Sequence, residues 1–228
     1  MPTAQSTISF EDIDGAIFDF DGTLAVTAPL WKDVDRSFLG KRGIEYTPEY
    51  GTRLATLGFT AGAQWTIDTY GLDETVEEIC REWTEEGYER YRNEITLRDG
   101  AAAVVEAFTN AGVTCALATN NNRELLGSMR HIDIDSLFDV QVYGREVAAQ
   151  KDEPDIYLEA ARRLGCAPER CLVFEDIPEG IIAGKRAGMT VCAMRDDFSA
   201  DQEPRKALLS DWMISDYREL IRTGKDAD

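Results

Sequence analysis

Short apolar runs alternate with amphipathic stretches along most of this 228-residue chain, and this alternation constrains the fold more than any other feature. The apolar runs are too short for helices and are bounded by turn or charged residues; they occupy residues 16–18, 114–118, 138–143, 171–174 and 189–194. Between them, apolar residues recur at helical spacing over residues 102–111, 124–130, 154–164 and 180–187. Strands that alternate with helices predict an α/β fold, with a Rossmann-like parallel sheet covered by helices on both faces.

One segment interrupts this alternation. Between residues 29 and 95 the strand signals vanish and helical signals continue, including a long apolar stripe formed by Val76, Ile79, Cys80, Trp83, Tyr88, Tyr91 and Ile95. We therefore predict a helical cap domain at residues 28–96, inserted into an α/β core domain formed by residues 1–27 and 97–228. Open α/β sheets bind ligands at the carboxyl ends of their strands, where a small inserted domain can act as a lid.

The charge of the chain narrows the choice of partners. It contains 24 Lys and Arg residues against 43 Asp and Glu residues, a formal net charge of −19. Such a charge repels nucleic acid and anionic membranes, so we predict neither as a partner. No apolar stretch approaches the roughly 18 residues of a membrane span, and no secretory signal is evident, which favours a cytoplasmic protein. An anionic small substrate is compatible with this charge, because salt screens distant charges beyond about 8 Å and a bound cation can dominate a pocket.

The first apolar run leads directly into two carboxylates, Asp19 and Asp21. Side chains alternate in an extended chain, so these two acids begin on the same face. Two carboxylates that converge at the end of a strand repel each other unless a cation or a shared proton joins them. Gly22 permits the turn that takes the chain off the sheet. A turn with solvated acids is the alternative interpretation, since Asp and Gly are common in turns.

Polar groups also occur where later predicted elements begin or end. Thr119 and Asn120 follow the second apolar run, Lys151 precedes a helical stretch, and Glu175 and Asp176 follow the fourth run. Taken singly, these residues are compatible with a capping threonine, a solvated lysine and a pair of surface acids. Because the strands are parallel, however, all these groups fall at or near one edge of one sheet. Their joint occurrence predicts a single site that contains Asp19, Asp21, Thr119, Lys151 and Asp176.

On these residues the chain resembles the haloacid dehalogenase superfamily, in the subgroup that has a helical cap after the first strand and includes beta-phosphoglucomutase-like phosphatases. The first motif of the family matches residues 19–23, the second matches Thr119 and the third matches Lys151. The fourth matches residues 173–176, with Gly180 downstream. The resemblance extends from about residue 15 to residue 220 and so covers nearly the whole chain.

The resemblance implies a Mg²⁺-dependent phosphatase that hydrolyses a small phosphomonoester. Asp19 would attack phosphorus and form an aspartyl-phosphate, while Asp21 would act first as general acid and then as general base. Mg²⁺ would be held by the Asp19 carboxylate, the Asp21 backbone carbonyl and Asp176, with Glu175 in or beside its coordination shell. This set of hard oxygen ligands suits Mg²⁺.

The resemblance also implies a set of groups that bind the substrate. Thr119, Asn120 and Lys151 would hold the phosphoryl oxygens, with Gly22 beside them and Trp31 contributing from the cap. The expected partner is a small phosphorylated metabolite, and the expected assembly is a monomer or a weak homodimer.

Two alternative functions stay open. One is a sugar-phosphate mutase of the beta-phosphoglucomutase type, although the cap histidine that those enzymes use falls at Trp31 in this chain. The other is a catalytically silent protein that binds phosphate or Mg²⁺ without turnover. Asp21 and Asp176 argue against a dehalogenase, because those relatives need no metal and lack the second acid.

Overall fold

The computed structural model describes residues 12–57, 59–121, 123–147 and 153–222. The chain divides into two compact units. The α/β unit contains the described residues of Met1–Val26 and Ile95–Asp228, and the helical unit contains those of Thr27–Glu94. The sequence placed its domain boundaries at 27/28 and 96/97, and the assignment of these segments as core and cap stays a prediction.

The α/β unit is built on a parallel sheet, as the alternation of apolar runs predicted. Within the described residues the strand order is β3-β2-β1-β4-β5-β6. All neighbouring strands are parallel, and their bounds are β1 Gly15–Phe18, β2 Thr114–Thr119, β3 Val140–Tyr143, β4 Cys171–Glu175, β5 Thr190–Met194 and β6 Trp212–Ile214. The chain builds one half of the sheet outward from β1 and then starts the other half at β4, so the strand order reverses between these two strands. Ligands of open α/β sheets bind at such a reversal, outside the carboxyl ends of the strands.

The helical unit contains four helices in the described residues, α1 Ala28–Lys41, α2 Pro48–Leu57, α3 Phe59–Tyr70 and α4 Val76–Glu94. Every fourth residue of α4 is buried, namely Ile79, Trp83, Gly87 and Tyr91. The sequence pattern suggested Tyr88 rather than Gly87 for this stripe. The glycine is buried because the Trp31 ring lies against it, and a Cβ atom at Gly87 would stand only 3.0 Å from Cη2 of that ring.

Helices and short 3-10 turns connect the strands of the α/β unit. The helices are α5 Ala101–Asn110, α6 Arg123–Gly127, α7 Ile134–Leu137, α8 Asp155–Leu164, α9 Pro178–Arg186, α10 Glu203–Leu209 and α11 Arg218–Arg222. The 3-10 turns are Gly144–Glu146, Pro168–Arg170 and Asp197–Gln202. An antiparallel backbone bridge joins Ala25 to Leu97, on either side of the inserted helical unit. In the described part of the chain, no helix combines the length and the apolarity that a membrane span requires.

The two central strands form the most deeply buried part of the sheet. All residues of β1 and β4 are buried, as expected for a sheet that is covered on both faces. The rings of Phe18 and Phe174, at equivalent positions of these strands, stack with centroids 4.6 Å apart. Phe108 and Phe138 pack against Phe18 at 6.2 Å and 5.7 Å. This packing gives a rigid support to the residues that follow each strand.

Candidate active site

The predicted acids lie where the strand order reverses. Asp19 follows β1 directly, and its backbone N–H donates to the Phe174 carbonyl at 3.1 Å, which extends the pairing of the two strands by one residue. Asp176 follows β4 in the same way. The parallel register of β1 and β4 therefore brings Asp19 and Asp176, which are distant in the sequence, to one edge of the sheet.

Asp19, Glu175 and Asp176 each offer one carboxylate oxygen to a cluster in which these atoms lie within 4.8 Å of one another. Glu175 and Asp176 are buried, with 5% and 9% of their surface exposed. Burial, and then the charge of the adjacent Glu175, raise the pKa of Asp176 to about 8. Carboxylates in this arrangement repel one another and favour a bound cation. Their oxygen atoms are the donors that Mg²⁺ prefers, so the residues present fit such an ion.

Three hydrogen bonds hold Glu175 in place. Its Oε2 accepts from the backbone N–H groups of Asp176 at 2.7 Å and Ile177 at 2.9 Å. Its Oε1 accepts from the Tyr157 hydroxyl at 2.9 Å. Burial, and then the Glu175 charge, raise the pKa of Tyr157 well above its ordinary value, so the phenol stays a neutral donor. Gly180 lies directly against the Glu175 side chain, since a Cβ atom at this position would overlap with the carboxylate.

Replacement of Tyr157 by Phe is expected to lower the free energy of unfolding by about 1.5–3 kcal/mol, because it removes a buried hydrogen bond to a charged acceptor. Urea denaturation measures this loss. Tyr143→Phe is the matched control, since the buried Tyr143 hydroxyl donates to the neutral amide oxygen of Gln141 at 2.7 Å. That variant should lose about 0.5–1.5 kcal/mol. Equal losses would contradict a charged Glu175 acceptor.

The turn that follows Asp19 packs directly on the acid cluster. Gly22 has φ = +78°, and a Cβ atom at this position would overlap with the Asp176 carboxylate. The Gly22 N–H donates to the Ala25 carbonyl at 2.8 Å and closes the turn. Thr23 is fully buried, and its hydroxyl donates to Asp176 Oδ1 at 3.4 Å. The backbone between Asp21 and Ala25 is therefore fitted to Asp176 by a close approach and by a hydrogen bond.

Asp21 is held by a residue that the sequence analysis missed. The Asn121 side-chain amide donates to Asp21 Oδ2 at 3.0 Å, and the Asn121 backbone N–H donates to Thr119 Oγ1 at 3.1 Å. Asn121 thus links the predicted acid to the predicted phosphate ligand. The Asn120 amide oxygen instead lies against Gly144, where a Cβ atom would overlap with it. The position of Asn121 two residues beyond Thr119, in an Asn-rich turn, was the available signal.

For two further predicted site residues, Lys151 and Trp31, a place in this site stays a prediction. Lys151 lies outside the described residues. Trp31 belongs to the helical unit, where its ring packs against Phe59 and Tyr91 with centroid distances of 5.3 Å and 6.2 Å. Its contribution to substrate binding stays a prediction.

Comparison with known proteins identifies the family. A phosphorylated carbohydrates phosphatase of Thermotoga maritima is 30% identical to this chain over 178 residues, which cover 78% of this chain and 82% of that protein. Hexitol phosphatase A of Escherichia coli is 30% identical over 184 residues, which cover 79% and 82%. The crystal structure of CbbY from Rhodobacter sphaeroides in complex with phosphate is 27% identical and has a TM-score of 0.74, covering 91% of this chain and 96% of that chain.

A model of the haloacid dehalogenase-like hydrolase family matches residues 16–194, from the first strand to the end of β5. The predicted superfamily, fold and enzyme class are thus confirmed, since the relatives are named phosphatases of this hydrolase family. Because the match includes β1, β4 and the acids that follow them, the sequence and the fold lead to one conclusion: this chain belongs to the haloacid dehalogenase-like hydrolase family.

Proposed function

We propose that this protein is a Mg²⁺-dependent phosphatase that hydrolyses a small phosphorylated sugar, or a related phosphomonoester, through an aspartyl-phosphate on Asp19. The observation that carries the proposal is the meeting of the Asp19, Glu175 and Asp176 carboxylates at the strand-order reversal. The names of the carbohydrate and hexitol phosphatases support the substrate class. In this proposal the helical unit serves as the cap domain expected from the sequence.

The Asp19 and Asp176 carboxylates and the Asp21 backbone carbonyl would hold Mg²⁺, and Glu175 would contribute directly or through a water molecule. A bound Mg²⁺ neutralises negative charge on the phosphoryl oxygens and on the carboxylates around it. The three hydrogen bonds that Glu175 accepts fix the orientation of its carboxylate, and with it the direction from which this group would bind the ion. Burial first, and the charge of the adjacent Glu175 second, raise the pKa of Asp176, so a bound cation would favour the ionised form of this ligand.

Asp19 and Asp21 would carry the covalent chemistry. An Asp19 oxygen forms a bond to phosphorus as the bond to the leaving alcohol breaks, and Asp21 gives its proton to that alcohol. Asp21 then takes a proton from water, whose oxygen attacks phosphorus and releases inorganic phosphate from Asp19. The hydrogen bond from Asn121 to Asp21 Oδ2 holds this carboxyl group in one orientation for both proton transfers.

Thr119 and Lys151 would hold the oxygens of the transferred phosphoryl group. The Thr119 oxygen accepts a hydrogen bond from the Asn121 N–H. Its own hydroxyl hydrogen would donate to a phosphoryl oxygen. Thr119 is almost fully buried, so its hydroxyl loses little entropy when it binds the substrate. Lys151 would supply positive charge to the phosphoryl oxygens.

The direct test is a screen of the purified protein with Mg²⁺ against p-nitrophenyl phosphate, hexose phosphates, hexitol phosphates, phosphoglycolate and nucleotides. We expect Mg²⁺-dependent release of phosphate, fastest from a sugar or sugar-alcohol phosphate. Isomerisation of a hexose 1-phosphate without release of phosphate would favour the mutase alternative. Binding of Mg²⁺ without turnover of any compound would favour a catalytically silent protein.

Replacement of Asp176 by Asn is expected to raise the Mg²⁺ concentration for half-maximal activity at least about tenfold, because a charged oxygen ligand is lost from the site. The stabilisation of the protein by Mg²⁺, measured as a shift in Tm, should shrink in parallel. Asp139→Asn is the control, because Asp139 is exposed just before β3. An unchanged Mg²⁺ requirement in Asp176→Asn would remove this residue from the metal site.

A further inference from the structure

A partly buried ion pair lies behind the turn that follows Asp19. Arg98 Nη2 pairs with the Asp196 carboxylate, and these side chains are 15% and 4% exposed. Nε and Nη2 of the same guanidinium donate to the Gly22 carbonyl at 2.9 Å and 2.7 Å. The Arg98 backbone N–H donates to the Leu24 carbonyl at 2.7 Å. One residue therefore holds two carbonyls of the turn between Asp19 and Ala25.

The Asp196 carboxylate, which pairs with Arg98, is itself held in place by neighbouring groups. Asp196 Oδ1 accepts from the Phe198 N–H at 2.7 Å, which caps the 3-10 turn Asp197–Gln202. Lys206 is fully buried, and its ammonium donates to the Met194 carbonyl at 3.3 Å and to Ser199 Oγ at 2.7 Å. These bonds tie the segment after β5 to the sheet, so Asp196 presents a rigid anion to Arg98.

The contacts of Arg98 continue to the acid cluster through the turn. The Gly22 carbonyl that Arg98 holds belongs to the peptide group that joins Gly22 to Thr23. The Thr23 hydroxyl donates to Asp176 Oδ1 at 3.4 Å, so the orientation of this peptide group helps to set the position of Thr23 beside Asp176. A guanidinium is suited to this arrangement, because its planar fork binds a carbonyl and a carboxylate at the same time.

We propose that Arg98, backed by Asp196, is a positioning residue for the nucleophile turn, defined as residues 20–25. It keeps the Gly22 carbonyl, and with it the backbone of Asp21 and Thr23, in the geometry that the acid cluster requires. Neither Arg98 nor Asp196 belongs to the four motifs that carry the chemistry. The inference rests on the proposed function for its effect on turnover, but its effect on the turn is independent of any activity.

The test compares Arg98→Met with Arg170→Met. Arg170 also makes a forked ion pair beside β1, with Asp14, but at the amino end of the strand and on the surface. We expect Arg98→Met to lower kcat for p-nitrophenyl phosphate by about tenfold to a hundredfold with KM within about threefold of wild type, since small misplacement of reacting groups has effects of this size. Arg170→Met should keep wild-type kcat. If Arg98→Met fails to fold, Arg98→Lys makes the same comparison, because an ammonium lacks the fork.

Hydrogen exchange gives the readout that needs no activity. The amides of residues 20–25, among them the Gly22 N–H bonded to the Ala25 carbonyl, should exchange faster in the Arg98 variant and at the wild-type rate in Arg170→Met. Asp196→Asn should lower kcat less than Arg98→Met, and the double variant should be no worse than Arg98→Met alone, because Asp196 acts through Arg98.

A kcat within about twofold of wild type in a folded Arg98 variant, or unchanged exchange of residues 20–25, would overturn the inference. Additive losses in the Arg98 and Asp196 variants would also overturn it, since they would indicate two independent structural roles. If wild-type protein releases no phosphate from any compound, the proposed function fails, and the exchange comparison still decides whether Arg98 holds the turn.

Discussion

Replacement of Asp19 by Asn is expected to lower kcat by about 10³-fold or more for every phosphomonoester that the wild-type protein hydrolyses. The amide that results has no negative charge and is a poor nucleophile toward phosphorus. The fold should survive, because one of three neighbouring carboxylates loses its charge and the repulsion within the cluster falls. We therefore expect a Tm equal to or above that of the wild type without Mg²⁺. Steady-state kinetics and thermal denaturation measure the two effects.

Asp14→Asn is the matched control for this prediction. Asp14 stands at the amino end of β1, as Asp19 stands at its carboxyl end, and its carboxylate pairs with Arg170 on the surface. This variant should keep wild-type kcat. Mass spectrometry after rapid quenching should find a phosphoryl adduct on the wild-type peptide that contains Asp19 and none in Asp19→Asn. Near-normal turnover in a folded Asp19→Asn protein would refute the nucleophile assignment.

Replacement of Gly22 by Ala is expected to have the second largest effect, on both stability and turnover. A φ of +78° strains any L-residue with a side chain by about 1–2 kcal/mol. The new methyl group would also overlap with the Asp176 carboxylate, which is buried and has little room to move. We expect a total loss of about 2–4 kcal/mol in the free energy of unfolding. The displacement of Asp176 should lower kcat at least about a hundredfold.

Gly188→Ala separates the effect of backbone strain from the effect of the overlap with Asp176. Gly188 has φ = +80°, yet a Cβ atom there would have no neighbour within 4 Å. It should therefore lose about 1–2 kcal/mol from backbone strain and keep wild-type kcat. Urea denaturation and kinetics of both variants give the comparison. An equal loss of stability and activity in the two variants would mean that the close approach of Gly22 to Asp176 has no role.

The acids of the site could be predicted because each follows a strand with a simple sequence pattern. Residues 16–18 and 171–174 are wholly apolar, and the structure buries both strands completely. Parallel strands end at one edge of a sheet, so Asp19 and Asp176 could be expected together from the alternation of strands and helices alone. The prediction succeeds because a short strand that is buried on both faces appears in the sequence as an uninterrupted apolar run.

The partners of those acids could not be predicted in the same way. Tyr157, Asn121 and Arg98 each reach the site from a different segment, and the hydrogen bonds that they make depend on the exact packing of those segments. A tyrosine in a helix or an arginine in a connection has no local pattern that reveals its partner. Strand β6 was missed for a related reason, since Trp212–Ile214 is only three residues long and shows no alternation.

Strand β3 illustrates how a neighbouring element shifts a predicted boundary. The sequence predicted a strand over residues 138–143, whereas the strand is Val140–Tyr143. Phe138 instead follows α7 directly as its C-cap residue, and its N–H donates to the Ile134 carbonyl at 3.0 Å. A backbone group that is already bonded to a helix cannot also begin a strand ladder. The apolar character of Phe138 predicted its burial correctly, but it did not predict its secondary structure.

The backbone bridge between Ala25 and Leu97 brings together the two points at which the chain leaves and re-enters the α/β unit. A loop of about two to five residues is enough to connect paired antiparallel segments. Residues 28–94 could therefore be excised and replaced by such a loop without cutting a strand of the sheet. Such a replacement would remove the inserted helices and keep the strands of the sheet together with the carboxylates that follow β1 and β4.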